Sequence, residues 1–93
     1  MQIRWTKQAL GDLTNARAFG AAHHPDSVAA FAAQVRSSLD VLKAHPGIGR
    51  DGRVDGTREL AIPRTPFLLV YRVEGKHLDI LAFLHGSRRW PEA

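Results

Sequence analysis

Cysteine is absent from this 93-residue chain. That excludes disulfides, thiol nucleophiles and cysteine-ligated zinc, and it fits a reducing cytoplasm. Long hydrophobic runs are missing too. No stretch reaches the roughly 20 apolar residues of a membrane span, and the opening Met1-Gln2-Ile3-Arg4-Trp5 lacks the extended apolar core of a signal peptide. A soluble, cytoplasmic protein with no membrane partner is expected. Low-complexity tracts and internal repeats are also absent. With 44% hydrophobic and 24% charged residues, the chain is too apolar for disorder and has room for one core, so residues 1–93 are expected to form a single domain.

Acidic residues are the scarcer charge. Thirteen Lys plus Arg stand against nine Asp plus Glu for a formal net charge of +4, and ten of the thirteen cations are arginine. Guanidinium is a planar, permanently charged fork that suits carboxylate or phosphate. The balance therefore favours an anionic partner, whether nucleic acid, an acidic protein or both. The same surplus would also serve simply to keep a small protein in solution.

Periodicity supplies the architecture. Ile3–Trp5 reads as a short strand, closed by Thr6 as a helix N-cap. From Lys7, the residues Leu10, Leu13 and Arg17, with Ala9, Ala16 and Gly20 beside them, describe an amphipathic helix that fades near His23 and His24. Pro25 or Asp26 opens a second helix, in which Val28, Phe31, Val35, Leu39 and Leu42 recur at three- and four-residue spacing until His45-Pro46-Gly47 stops it. Two helices joined by a short link predict an antiparallel hairpin.

The glycine-bearing segment from Pro46 to Gly56 reads as a loop. Strands are predicted at 58–62, 67–73 and 78–84, the last two forming a hairpin about Gly75 and Lys76. The expected fold is α+β with order β-α-α-β-β-β, the helical hairpin packed on a small, mainly antiparallel sheet that the first strand completes.

Most catalytic signatures fail on context. Gly47-Ile48-Gly49-Arg50-Asp51-Gly52 matches GxGxxG but follows a helix and leads into strands, the reverse of a dinucleotide site, so its glycines are expected to supply positive φ. His23 and His24 are adjacent, His45 ends a helix and His77 flanks a turn, so none has metal-ligand spacing, and no metal or cofactor is expected. No GxSxG elbow marks a nucleophile, and Glu59, Glu74 and Asp79 fall in different elements rather than forming a carboxylate pair. His85 is the exception. It ends the last apolar strand and runs into Gly86-Ser87-Arg88-Arg89-Trp90, where an imidazole beside two guanidiniums could move protons while phosphate charge is held. Arg58 and Arg72 could point to the same region. A structural strand-end histidine with solvated arginines explains the pattern as well. Trp90 would either stack on a base or close the edge of the core.

Taken together, Ile3-Arg4-Trp5-Thr6, the segment Leu42-Lys43-Ala44-His45-Pro46-Gly47-Ile48-Gly49-Arg50, Gly56-Thr57-Arg58-Glu59-Leu60, Leu69-Val70-Tyr71-Arg72-Val73 and the run from Ile80 to Pro91 resemble the RelE/ParE toxins nearly end to end. The resemblance implies a toxin of a type II toxin–antitoxin pair that arrests growth and is neutralised by a cognate antitoxin with an acidic, partly disordered segment. It also implies one of two targets. ParE-type toxins block DNA gyrase, and RelE-type toxins cleave mRNA on the ribosome. The turn at Pro46–Arg50 is similar to ParE proteins. In the apolar run Phe67-Leu68-Leu69-Val70, Leu68 stands where RelE-type nucleases carry a catalytic arginine, and their lysine-rich segment and C-terminal tyrosine are missing. His85 and Arg88 match residues of some nuclease members.

The reading leans to a gyrase inhibitor without enzymatic activity. Arg58, Arg72, Arg88, Arg89 and Trp90 are its expected contacts with antitoxin or target. The alternatives are a metal-independent, ribosome-dependent endoribonuclease using His85, Arg88, Arg72 and Arg58, and a non-toxic basic binding domain.

Overall fold

The computed structural model describes residues 1–23 and 28–91, with the side chains of residues 19–23 outside that description. Its elements are β1 (Gln2–Trp5), α1 (Lys7–His23), α2 (Val28–Ala44), β2 (Arg50–Asp51), β3 (Arg58–Ala61), β4 (Phe67–Glu74) and β5 (His77–His85). Thr6 caps α1 as expected, its hydroxyl oxygen accepting the Ala9 N–H at 3.2 Å, so one orphan amide of the first turn is satisfied. The cap expected at Pro25 or Asp26 lies outside the described residues.

The five strands make one sheet in the order β1-β5-β4-β3-β2. β4 and β5 form the antiparallel hairpin, with Glu74 opposite His77 and Gly75 at φ 58° in the turn, a conformation that suits glycine. The first strand does complete the sheet, pairing parallel with β5 from Gln2↔His77 to Trp5↔Ile80. The segment expected to be wholly loop contains a further strand, since Arg50 and Asp51 pair antiparallel with Glu59 and Arg58. Two residues bounded by Gly49 and Gly52 are too short for a period-2 pattern to register.

Alternation along β4 divides the interior in two. Leu69 and Tyr71 join Leu78, Ile80 and Phe83 under the helices, together with Ala9, Ala16, Val35 and Leu42. Leu68 and Val70 point to the opposite face, forming a second cluster with Ala82 and Leu84 against which Trp90 packs. The central strand β4 is apolar from Phe67 to Val70 because both its faces are covered there, and turns largely polar and exposed from Arg72 to Glu74. Phe31 of α2 meets Phe67 and Phe83 edge-on at 5.8 and 5.9 Å, while Phe67 and Phe83 stack at 5.3 Å.

Two local expectations are corrected. Leu10 is exposed, and α1 turns Ala9 and Ala16, with Leu13 partly buried beside them, to the core instead, the small residues letting the helix lie close on the sheet. The glycines of the GxGxxG segment do not carry positive φ, which falls at Gly56 and Gly75. Gly49 and Gly52 are required by close approach: a Cβ on Gly49 would lie 2.6 Å from the Tyr71 hydroxyl, and one on Gly52 would lie 2.9 Å from the Thr57 carbonyl oxygen as well as striking the Thr57 hydroxyl.

Candidate functional site

The six residues expected to act at a nuclease or contact surface do not converge. His85 lies opposite Phe67 at the end of β5, on the helix side of the sheet. With Arg88 it borders a pocket of about 250 Å³ between α1 and the strand end, lined also by Asp12, Asn15, Phe67 and Phe83. Asp12 is already engaged, accepting the Phe83 N–H at 3.1 Å. The His85 Nδ1 accepts the Ser87 N–H at 3.2 Å and lies 2.8 Å from the Ser87 hydroxyl. A neutral ring held this way carries its proton on Nε2.

Arg58 faces the same side but pairs with Tyr71, four residues along β4 from Phe67 and hence roughly 13 Å away. Its guanidinium donates to the carbonyls of Gly47 and Gly49 at 3.3 and 2.9 Å. Arg72 follows Tyr71 and so points to the other face, where it pairs with Glu74 at 3.1 Å. Arg89 is exposed, and Trp90 is half-buried over the second apolar cluster.

The most organised electrostatic centre was not anticipated. Glu59, 4% exposed, accepts from the Arg53 backbone N–H at 3.0 Å, from Arg53 Nε at 2.9 Å and from Arg53 and Arg50 terminal nitrogens at 3.1 Å each. Burial alone would push this carboxyl up. The side-chain and backbone hydrogen bonds from Arg53 and the bond from Arg50 outweigh it and hold the carboxyl at about 2, because they are made to the charged form. Arg53 reaches further and donates from Nη1 to the Arg88 carbonyl at 2.6 Å. One buried carboxylate thereby orders the loop after β2 and the segment after β5 together.

A second unanticipated anchor is Tyr71. Fully buried, it accepts the Gly49 N–H at 2.8 Å and donates to the Pro46 carbonyl at 2.8 Å. Burial pushes its hydroxyl up against the opposing pull of Gly49 and Arg58. Neither anchor has a signature in sequence spacing, since Arg53 sits in a loop and the partners of Tyr71 lie more than 20 residues away. Glu59 alternating inward on a strand was the one available signal.

Among the described residues no three His, Asp or Glu side chains gather as a metal site would require, and no helix is long and apolar enough to cross a membrane. The arrangement offers an arginine-rich surface braced by a single buried carboxylate, which can bind anions and hold loops.

Comparison with known proteins adds an independent line. A family model described as the ParE toxin of the type II toxin–antitoxin system, parDE, matches residues 3–90. Over 91 residues the chain is 34% identical to "Putative toxin Y4kP" of Sinorhizobium fredii, covering 98% of this chain and 94% of that protein. Among solved structures, a chain of the "Chromosomal ParDE TA system from P. aeruginosa" superposes with a TM-score of 0.80 at 28% identity, over 91% of this chain and 95% of that one.

Proposed function

The chain belongs to the ParE toxins of type II toxin–antitoxin systems, and from that premise we propose that it arrests growth in the cytoplasm by binding and inhibiting DNA gyrase, and that a cognate antitoxin with an acidic, partly disordered segment neutralises it. One observation carries the choice of target. Metal-free RNA cleavage needs a proton-transfer group and cations converging on one phosphate, and here the titratable groups are dispersed. His85 and Arg88 border one pocket. Arg58 is tied to loop carbonyls, Arg72 is on the opposite face, and Leu68 is buried in the second apolar cluster. This favours a surface that binds over a site that cuts. The exposed arginines Arg72, Arg88 and Arg89, the half-buried Arg58 and Trp90 are the proposed contacts for antitoxin or target.

Purified protein is expected to inhibit plasmid supercoiling by gyrase, and added antitoxin to relieve it. His85→Ala is expected to fold normally and to inhibit fully, because the ring is exposed and its bonds are local to Ser87. The endoribonuclease reading rests on the His85–Arg88 pocket and makes the opposite forecast. If supercoiling were unaffected, translated transcripts were cut and His85→Ala abolished toxicity, gyrase inhibition would be abandoned.

A further inference from the structure

The two edges of β5 are not equally covered. β4 follows one edge along the whole strand, but β1 pairs with the other only as far as Ile80. Main-chain groups in an antiparallel pair alternate between the two sides of a strand. Leu84 lies opposite Leu68, and the Gly86 N–H donates to the Pro66 carbonyl at 2.8 Å. Leu84 and Gly86 therefore address β4, while Phe83 and His85 turn their main-chain groups to the other edge. The Phe83 N–H bears this out, since it donates across to Asp12 Oδ2 on α1 at 3.1 Å. The His85 carbonyl is also used, accepting the Arg88 N–H at 2.9 Å. The Phe83 carbonyl and the His85 N–H are left with no partner among the described residues. Backbone groups beside apolar surface are costly to leave that way.

These two groups belong to the wall of the pocket of about 250 Å³ between α1 and the end of β5. Two isolated groups are too few to pair an added strand, which needs a run of them. They suit a small ligand, and the surrounding charge says which kind. At the Phe83 end stand its carbonyl and the Asp12 carboxylate, whose Oδ1 has no partner among the described residues. At the His85 end stand the N–H and the Arg88 guanidinium. Arg53 holds the Arg88 main chain by donating to its carbonyl at 2.6 Å, so this end is ordered in advance of binding. Asn15 adds a side-chain amide that can donate and accept. The rings of Phe67 and Phe83, stacked at 5.3 Å, form the apolar wall. A simple anion would meet Asp12 and a simple cation would meet Arg88, whereas a zwitterion satisfies both ends. We propose that this pocket binds a free α-amino acid with an apolar side chain. Its ammonium would donate to the Phe83 carbonyl and Asp12, and its carboxylate would accept from the His85 N–H and Arg88. Its side chain would lie against the phenylalanine wall.

Amide chemical shifts of the full chain, titrated with L-phenylalanine, test this site whatever the toxin's target. Saturable shifts are expected at Asp12, Asn15 and the 83–88 segment, with a Kd of about 1 mM or tighter. N-acetyl-L-phenylalanine lacks the ammonium and L-phenylalaninamide lacks the carboxylate, so each should bind at least about tenfold more weakly. Asp12→Asn keeps an oxygen for the Phe83 N–H and is expected to fold. It should weaken L-phenylalanine about tenfold while changing N-acetyl-L-phenylalanine by less than about twofold, because Asp12 and the ammonium form one contact. Arg88→Gln is the mirror test, weakening L-phenylalanine about tenfold and L-phenylalaninamide by less than about twofold. An absence of shifts in these residues at about ten times that Kd would overturn the proposal. Equal binding of all three compounds would also overturn it, by reducing the pocket to an apolar cleft blind to charge.

Discussion

Gly49→Ala is expected to lower stability by roughly 3 kcal/mol, read as a fall in Tm of about 15 °C. The new methyl group would lie 2.6 Å from the Tyr71 hydroxyl oxygen, 2.8 Å from Cε1 of the same ring and 2.9 Å from the Glu59 carbonyl oxygen. None of these can retreat cheaply. Tyr71 is fully buried, and the Glu59 carbonyl belongs to a central part of β3. Relief requires the 46–49 turn to lift, which breaks the Gly49 N–H bond to Tyr71 and its companion from Tyr71 to the Pro46 carbonyl. Tyr71→Phe removes the same two bonds without the overlap, at a cost of about 1–3 kcal/mol for leaving buried groups unpaired. Because both substitutions act on one contact, the double variant should lose less than their sum. Thermal unfolding followed by circular dichroism measures all three. A loss below about 1 kcal/mol for Gly49→Ala would mean that the turn moves off Tyr71 freely and is not an anchor.

Removing the buried carboxylate should be comparably severe. Glu59→Ala is expected to cost about 3 kcal/mol near neutral pH, at the lower end for a broken buried pair because Arg50 is largely solvated and Arg53 partly so. The acid limb gives a cleaner signature. The Glu59 carboxyl sits at about 2 in the folded protein against 4.5 for the free group, so its folded value is depressed. Its contribution is complete above pH 4.5 and is lost as pH falls toward 2, and its full size is roughly 3 kcal/mol. Wild-type stability should therefore decline steeply across that window, and Glu59→Gln should flatten most of the decline. Asp79, held low by its hydrogen bond to Arg4, accounts for a residual slope. Chemical denaturation at a series of pH values distinguishes these. An unchanged slope in Glu59→Gln would show that the carboxylate is not the acid-labile group. Since Arg53 also holds the Arg88 carbonyl, the same variant should increase amide exchange in the Gly86–Trp90 segment.

The two effects belong to one mechanical unit. Tyr71 from below and Glu59 from the other side of the sheet secure the loops on either side of β2. These loops place Arg50, Arg53 and Arg58, and through Arg53 they place the backbone that carries Arg88 and Arg89. Weakening either anchor should loosen the arginine surface proposed to meet the antitoxin or target before it unfolds the helical side of the core.

Sequence alone determined the order of the elements apart from β2, the Thr6 cap, the core stripe of α2, the β4–β5 hairpin and the apolar run at 67–70. These follow from periodicity, capping and turn chemistry, which act between residues a few positions apart and so leave marks in spacing. The toxin family was legible for a related reason, because its motifs recur in order along nearly the whole chain. Only the tertiary structure decided that His85, Arg58 and Arg72 stand apart, that Gly49 and Gly52 serve close approach rather than positive φ, and that α1 buries Ala9 and Ala16 while Leu10 faces solvent. It alone revealed Glu59 and Tyr71 as anchors and the open main-chain groups at the end of β5. Each of these depends on strand register or on contacts between residues distant in the chain, and a one-residue change of register moves a side chain to the other face of the sheet.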